Sequence, residues 1–410
     1  MKLPQDAFSE SQALIKVILH KMDQLNKSRK QFIEQILLLF MSMRCRYTFL
    51  NMARYGRYCE RSYRYHFARF FDFMDFNHKL FQASGATDCV LAFDPTYVRK
   101  SGKKTAHVDT FYNGVASKRL PGLELGVLAL IDRKRKTAFP LEAVQSRGPK
   151  DLKAEGKSLV DHYAQIIVDR KDNLIKMAKY LVVDGFFAKK KYLGPIREQT
   201  QLHVITMLRR DAFLQYLYQP KQGAKRGRPR KYDGKVKLDQ LDPDKVEKVC
   251  DNQEVELYAF KAYAESLKQT LLVVLARWKH RKGKTKPYAV YCSTDLELDP
   301  ISVFDMFKER FQIEFLIRDA KQFTGLEHCQ ARSEEKIHMH VNLAFTAIGI
   351  AKAISYPRGK TDRFSMANWK NHFHNRMMMN FFFQHFDINP NEEKIIPIIN
   401  RFTSIGNIAA

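Results

Sequence analysis

The chain has 410 residues, with 70 Lys+Arg against 44 Asp+Glu and a formal net charge of +26. Hydrophobic residues make up 45% and aromatics 12%, far more core-forming material than a disordered polycation carries. The six cysteines show no CxxC pair, which argues against a disulfide frame or a zinc site.

At roughly 100–200 residues per domain, two to four structural units are expected. The apolar run from Phe32 to Met43 is too short to span a bilayer, and the opening MKLPQDAFSE has no apolar signal region, so a cytoplasmic chain with no membrane partner is expected. The charge excess points to nucleic acid, because neutralising phosphates releases counterions and rewards Lys and Arg.

Residues 1–84 read as helical, with Ile33, Ile36, Leu37 and Phe40 at helical spacing. Tyr47–Tyr55 and Cys59–Phe71 around Gly56 predict two helices joined by a short turn, as in a helix-turn-helix. Seven arginines, Arg57, Arg61 and Arg64 among them, lie between positions 44 and 69 against one acid, Glu60. Such a face suits a DNA-binding domain, since the guanidinium fork matches phosphates and guanine edges. Its apolar pattern is separate from that of residues 85–210, so its removal is expected to leave the rest folded.

Residues 85–210 alternate between strand and helix signals. Thr87–Phe93 predicts a strand ending at Asp94, Leu123–Asp132 and Thr137–Val144 two more, and Lys157–Lys179 a helix. Tyr180–Val183 then predicts a strand ending at Asp184, followed by a helix near Lys189–Gln199 and a strand at His203–Leu208. This is the pattern of an α/β fold, a mixed sheet flanked by helices.

Residues 211–299 form a β-rich insertion, with strand-like runs at Val236–Leu238, Val255–Tyr263, Thr270–Ala276 and Tyr288–Ser293. Its basic loops contain Arg226 and Arg228, which suit a minor groove, and Trp278, which could stack on an extruded base but more readily packs in a core. Residues 300–355 return to helix: Pro300 suits a first turn, Ser302–Gln322 predicts one helix and Ser333–Ser355 another. Residues 356–410 predict a C-terminal helical segment, helix over Ser365–Phe386 and then breaker-rich.

Asp94 and Asp184 each close an apolar strand. Side chains from adjacent strand ends of an α/β sheet converge, so the two carboxylates can share a divalent cation. On one straight helix Phe307, Arg310, Glu314 and Lys321 fall within about 60° of one another, which sets an acid between two bases. The plainer alternative is an Arg310–Glu314 ion pair, which leaves Lys321 unexplained.

These residues resemble the DDE transposases of bacterial insertion sequences, whose catalytic core is RNase H-like. One group carries Tyr-x2-Arg-x3-Glu-x6-Lys around its third acid, matched here as Phe307-x2-Arg310-x3-Glu314-x6-Lys321 with the tyrosine hydroxyl missing. The first acid matches in Phe93-Asp94-Pro95-Thr96 and the second in Val183-Asp184-Gly185-Phe186. The resemblance covers roughly residues 85–355, insertion included. It implies that Asp94, Asp184 and Glu314 hold two Mg²⁺ ions, with Mn²⁺ able to substitute, and that Arg310, Lys321 and Phe307 face DNA phosphate. It further implies double-stranded DNA partners (the element's terminal inverted repeats and target DNA), strand cleavage and transfer by a homodimer, and a place beside the bacterial nucleoid. The alternative is a DNA-binding repressor derived from such an enzyme.

Overall fold

The computed structural model describes residues 7–218, 230–279, 288–356 and 364–407. Five helices come first: α1 (Ala7–His20), α2 (Lys27–Ser42), α3 (Phe49–Tyr55), α4 (Glu60–Phe67) and α5 (Phe73–Ala83). Their starts are set by side-chain caps: Asn26, Thr48 and Asp72 each accept from a backbone N–H in the first turn of α2, α3 and α5.

Strands β1 (Cys89–Arg99), β2 (Asp109–Asn113), β3 (Lys118–Asp132) and β4 (Thr137–Gln145) follow. Three short helices come next, α6 (Pro149–Ala154), α7 (Leu159–Val168) and α8 (Lys171–Met177), and the last two replace the single helix expected over 157–179. The Ser158–Asp161 capping box starts α7 afresh after Gly156, which takes a positive φ of 70°. Next come β5 (Tyr180–Val183), α9 (Lys190–Gln199) and β6 (His203–Leu208), close to the expected positions.

The insertion supplies β7 (Leu214–Leu217), β8 (Tyr232–Lys235), β9 (Glu247–Asp251), β10 (Val255–Ala264), β11 (Gln269–Trp278) and β12 (Tyr288–Ser293). Val236–Leu238 is not a strand; the chain pairs one step earlier, as β8. The chain closes with α10 (Pro300–Glu309), α11 (Gln312–Phe323), α12 (Glu334–Ser355), α13 (Met366–His385) and α14 (Ile396–Thr403).

The sheet runs β2-β3-β1-β5-β6-β12-β11-β10-β7-β8, with β4 also on β3 and β9 on β10. β1, β5 and β6 are parallel, while β3, β4 and β12 run antiparallel to their neighbours. This is a mixed α/β sheet flanked by helices, consistent with an RNase H-like domain. The insertion is continuous with it, because β12 pairs with β6 and carries the other strands outward.

The N-terminal helices belong to the same core. Phe81 stacks edge-on against Phe139 of β4 at 5.4 Å, and Asn77 donates to the Leu141 carbonyl at 2.8 Å. Lys370 of α13, fully enclosed, donates to the Phe40 carbonyl of α2. The change of apolar pattern near residue 84 is therefore a change of element type, with one continuous hydrophobic interior on both sides of it. Helix α12 is long and apolar enough to cross a membrane, and it lies buried at the centre of this interior.

Candidate active site

β1 and β5 pair in parallel with Leu91 beside Leu181 and Phe93 beside Val183. The next residue on each strand is an aspartate, so Asp94 and Asp184 lie side by side where the pairing ends. Asp94 is not at a strand end as expected: β1 continues to Arg99 because β3, on its other edge, is long enough to pair with it through Gly122. β5 does stop at Val183. Asp184 opens a single tight turn in which its carboxylate accepts from Phe186 N at 3.2 Å, and the Thr206 hydroxyl donates to its carbonyl at 2.9 Å. A Cβ on Gly185 would sit 3.0 Å from the Met207 carbonyl oxygen, so the glycine lets this turn pass close to β6.

Glu314 lies in the first turn of α11. The single helix expected from Ser302 to Gln322 is broken at Arg310–Phe311, where Phe311 N bonds Lys308 O and Glu314 N bonds Phe311 O, three residues back. Such a tightened turn advances about 120° per residue in place of 100°. It rotates α10 relative to α11 and divides the expected stripe. Phe307 goes with α10, half-buried against Tyr291 at 4.9 Å, with the Arg310 guanidinium over its ring at 5.8 Å.

Arg310 stands at the break and joins the acids. Its Nη2 lies 2.8 Å from Glu314 Oε1 and 3.9 Å from Asp184 Oδ1. The side chain is 12% exposed, and its Nε is buried with no hydrogen-bond partner among the described residues. The Asp94 carboxyl is pushed up to about 7, chiefly by burial; Arg310 opposes the rise, while Glu314, Asp184 and Glu124 add to it. Three acids from β1, the end of β5 and α11 thus act on one another electrostatically.

Beside them opens a cleft of about 290 Å³ lined by Asp94, Thr96, Glu314, Ile317, Arg318 and Lys321. Lys321 Nζ donates to the Tyr97 carbonyl at 2.8 Å and lies 3.9 Å from Glu327. Burial lowers the pKa of this ammonium. Sequence reasoning missed Glu124, a buried acid on β3 that takes a hydrogen bond from the Tyr163 hydroxyl. The signal was present: Glu124 interrupts the run Leu123–Ile131, otherwise free of charge.

Three carboxylates offer the hard oxygen donors that Mg²⁺ and Mn²⁺ prefer. Among the described residues no three ligating side chains meet at coordinating distance, and Arg310 holds positive charge between two of the acids. The donor set fits a divalent cation in kind, and the orphaned Arg310 Nε marks a guanidinium that lacks a full set of partners in this arrangement.

The arginines between positions 44 and 69 are all exposed. Arg64 is held by Glu60, with its Nε at 3.0 Å, and lies 4.8 Å over the Phe49 ring. Arg57 and Arg61 have no acidic partner among the described residues. Trp278 ends β11, half-buried against the core. Arg226 and Arg228 lie outside the described residues.

No curated protein matches the sequence. A family model described as DDE superfamily endonuclease matches residues 22–266, more than half of the chain, a span that includes Asp94 and Asp184 and ends before Glu314. Nucleases of this kind act on DNA and generally use divalent metals. The chain belongs to the DDE superfamily of endonucleases.

Proposed function

We propose that the protein is a transposase of a bacterial insertion sequence, cutting DNA at the element's terminal inverted repeats and joining the freed ends to target DNA. The observation that carries this is the placement of Asp94 and Asp184 on adjacent strand positions with Glu314 facing them across Arg310. Asp94, Asp184 and Glu314 would hold two Mg²⁺ ions, or Mn²⁺, which when bound activate the attacking oxygen and steady the leaving 3′-oxygen.

The chain's own cations do the rest. Lys321 lines the cleft and Arg310 stands beside it against Glu314, and the two meet the charge of the scissile phosphate and of the transition state. The exposed Arg57, Arg61 and Arg64, in α4 and the turn before it, bind the duplex, with residues 1–84 as the DNA-binding segment. Arg226, Arg228 and Trp278 are further candidate contacts from the insertion. Phe307, packed on Tyr291, supports the site by carrying Arg310 on its ring in place of a phosphate-binding hydroxyl. The working form on paired ends is a homodimer, beside the nucleoid in the cytoplasm. A repressor that kept the fold without the chemistry has no need of three acids, and the sequence carries a carboxylate at each of the three positions.

The test is cleavage of DNA carrying the cognate ends with Mg²⁺ or Mn²⁺. Asp94→Ala, Asp184→Ala and Glu314→Ala should each abolish it and retain DNA binding. An Asp184→Ala variant that cuts as well as the parent would overturn the assignment.

A further inference from the structure

Beyond Gly122, opposite which β1 stops at Arg99, the sheet continues as a two-stranded arm of β2 and β3. Asp94 lies opposite Val127 of β3, and β3 begins nine residues earlier at Lys118. At ~3.3 Å per residue the arm ends about 30 Å from the level of Asp94, nearly the ~34 Å of one turn of duplex DNA. Its root is fixed. The Asp109 carboxylate accepts from Lys150 N at 2.9 Å, Ala106 N donates to the Arg332 carbonyl at 2.9 Å, and His107 lies 3.3 Å from Glu334 at the start of α12. Its tip is closed from within, where Asn113 Oδ1 accepts from Ala116 N at 3.0 Å and Ser117 takes a positive φ of 49°. Asn, Gly and Ser are residues that such a turn selects. Val115, in the middle of it, is not one of them, and it is wholly exposed.

The chemistry of the arm selects its partner. Residues 99–119 carry six Lys+Arg against one acid, Asp109, whose carboxylate is already engaged at the root. Arg99, Lys103, Lys104, Lys118 and Arg119 are all exposed. Tyr112 and Arg119 stand opposite each other in register and so share a face. Both are exposed, while Phe111 on the other face is buried. A single valine covers too little area for a lipid anchor, which buries a whole apolar face. The arm is likewise too narrow to supply the roughly 800 Å² each partner contributes to a standard protein interface. Cations along a ribbon with one apolar residue at its end fit a duplex, whose phosphates hold the ribbon while the tip parts a base step. We infer that the β2–β3 arm lies along duplex DNA leaving the cleft, and that Val115 wedges between base pairs from the minor groove, bending the duplex about one helical turn from the acids. This surface is separate from the exposed arginines of α4. Its role rests on the reading that the protein acts on duplex DNA, and not on cleavage at inverted repeats.

A duplex of about 40 base pairs, far below the ~150-base-pair persistence length, stays nearly straight when free. Energy transfer between dyes at its two ends tests the arm, with anisotropy reporting binding of the full chain. The parent should bind and raise the transfer through a bend of roughly 20–90°. Val115→Gly should still bind but lose the bend, and Val115→Phe should keep it. Lys118→Ala should lower the salt slope of binding by about 0.9, one phosphate contact. Both positions are exposed, so the variants should melt as the parent does. A parent that binds and leaves the duplex straight overturns the wedge, as does a Val115→Gly chain that bends DNA like the parent. A parent that binds no duplex at all overturns the reading of a DNA-acting protein along with it. Flotation with phosphatidylglycerol vesicles that Val115→Gly abolishes would assign the tip to lipid and likewise overturn it.

Discussion

Arg310 and Glu314 form a 2.8 Å ion pair one helical turn apart, and the same guanidinium reaches to 3.9 Å from Asp184 on a different element. An i,i+4 pair on an exposed helix contributes only a few tenths of a kcal/mol. Here the arginine is largely buried and its second acid comes from the end of β5, so it acts as an internal counter-ion for the cluster. Like-charged carboxylates held this close destabilise one another unless a cation stands among them. A divalent ion and Arg310 therefore compete for the same negative charge.

Removing the competitor should show directly. Arg310→Ala, without DNA, should bind Mn²⁺ about tenfold more tightly than the parent, a gain of ~1.4 kcal/mol. Calorimetric titration measures this independently of cleavage. Asp94→Asn added to Arg310→Ala should cancel the gain. An unchanged affinity in Arg310→Ala would place the ion away from these acids.

Asp94 makes stability depend on pH in a particular direction. Its folded pKa, about 7, lies above the unfolded value, so the folded state holds the proton more tightly. The stabilising effect of that proton is complete below the unfolded pKa and is lost as pH rises through about 7. Asp94→Asn mimics the protonated form. It should raise the melting temperature at about pH 8 and have little effect near pH 4. Thermal melts across this range check it, and equal shifts at both ends would mean the carboxyl is not held protonated.

Strands such as Tyr180–Val183, His203–Leu208 and Tyr288–Ser293 were legible to the residue, because each is a short apolar run between turn signals. The adjacency of Asp94 and Asp184 followed from strand ends meeting in a parallel pair. What the sequence did not show depended on neighbours. Asp94 lies inside β1 because β3 extends past it, and a strand's length is set by its partner as much as by its own residues. The break at Arg310–Phe311 leaves no trace in a periodicity that is apolar on both sides, so one continuous stripe was expected from Phe307 to Lys321, whereas Phe307 goes with α10 and packs on Tyr291. β2 (Asp109–Asn113), with a single buried side chain in five, carries almost no hydrophobic signal.

The exposed arginines should separate by how they are held. Arg57→Ala with Arg61→Ala removes two guanidiniums without an acidic partner among the described residues, so the slope of log affinity against log salt for duplex DNA should fall by about 1.8. Arg64→Ala should change it less, since Glu60 already neutralises that charge. Filter binding at several salt concentrations distinguishes the two. An unchanged slope in the double variant would move the duplex contacts to the insertion.

Lys321 should couple the cleft to β1. Its hydrogen bond to the Tyr97 carbonyl spans the space between α11 and the strand carrying Asp94. Lys321→Ala should weaken binding to cleaved ends and lower the salt slope by about one phosphate contact. Lys321→Arg keeps the charge and should restore most of the slope. If neither variant alters binding, the ammonium serves only to tie α11 to β1.

Deleting residues 1–84 is the test of how the chain is divided, and the packing reverses the outcome that apolar patterning alone suggests. The helices of this segment cover β4 and α12: Phe81 rests on Phe139, Asn77 satisfies the Leu141 carbonyl, and Phe40 meets the His340 ring at 5.3 Å. Without them the buried Lys370 side-chain amine loses its acceptor on Phe40. Each buried polar group left unpaired costs about 1–3 kcal/mol, and the bared apolar faces favour aggregation. The fragment 85–410 should therefore lose the cooperative melt of the full chain. Asn77→Ala, a far smaller change in the same contact, should lower stability by about 1–3 kcal/mol in urea titration. A fragment that melts cooperatively, beside an Asn77→Ala chain of unchanged stability, would show that the N-terminal helices rest on the sheet without supporting it.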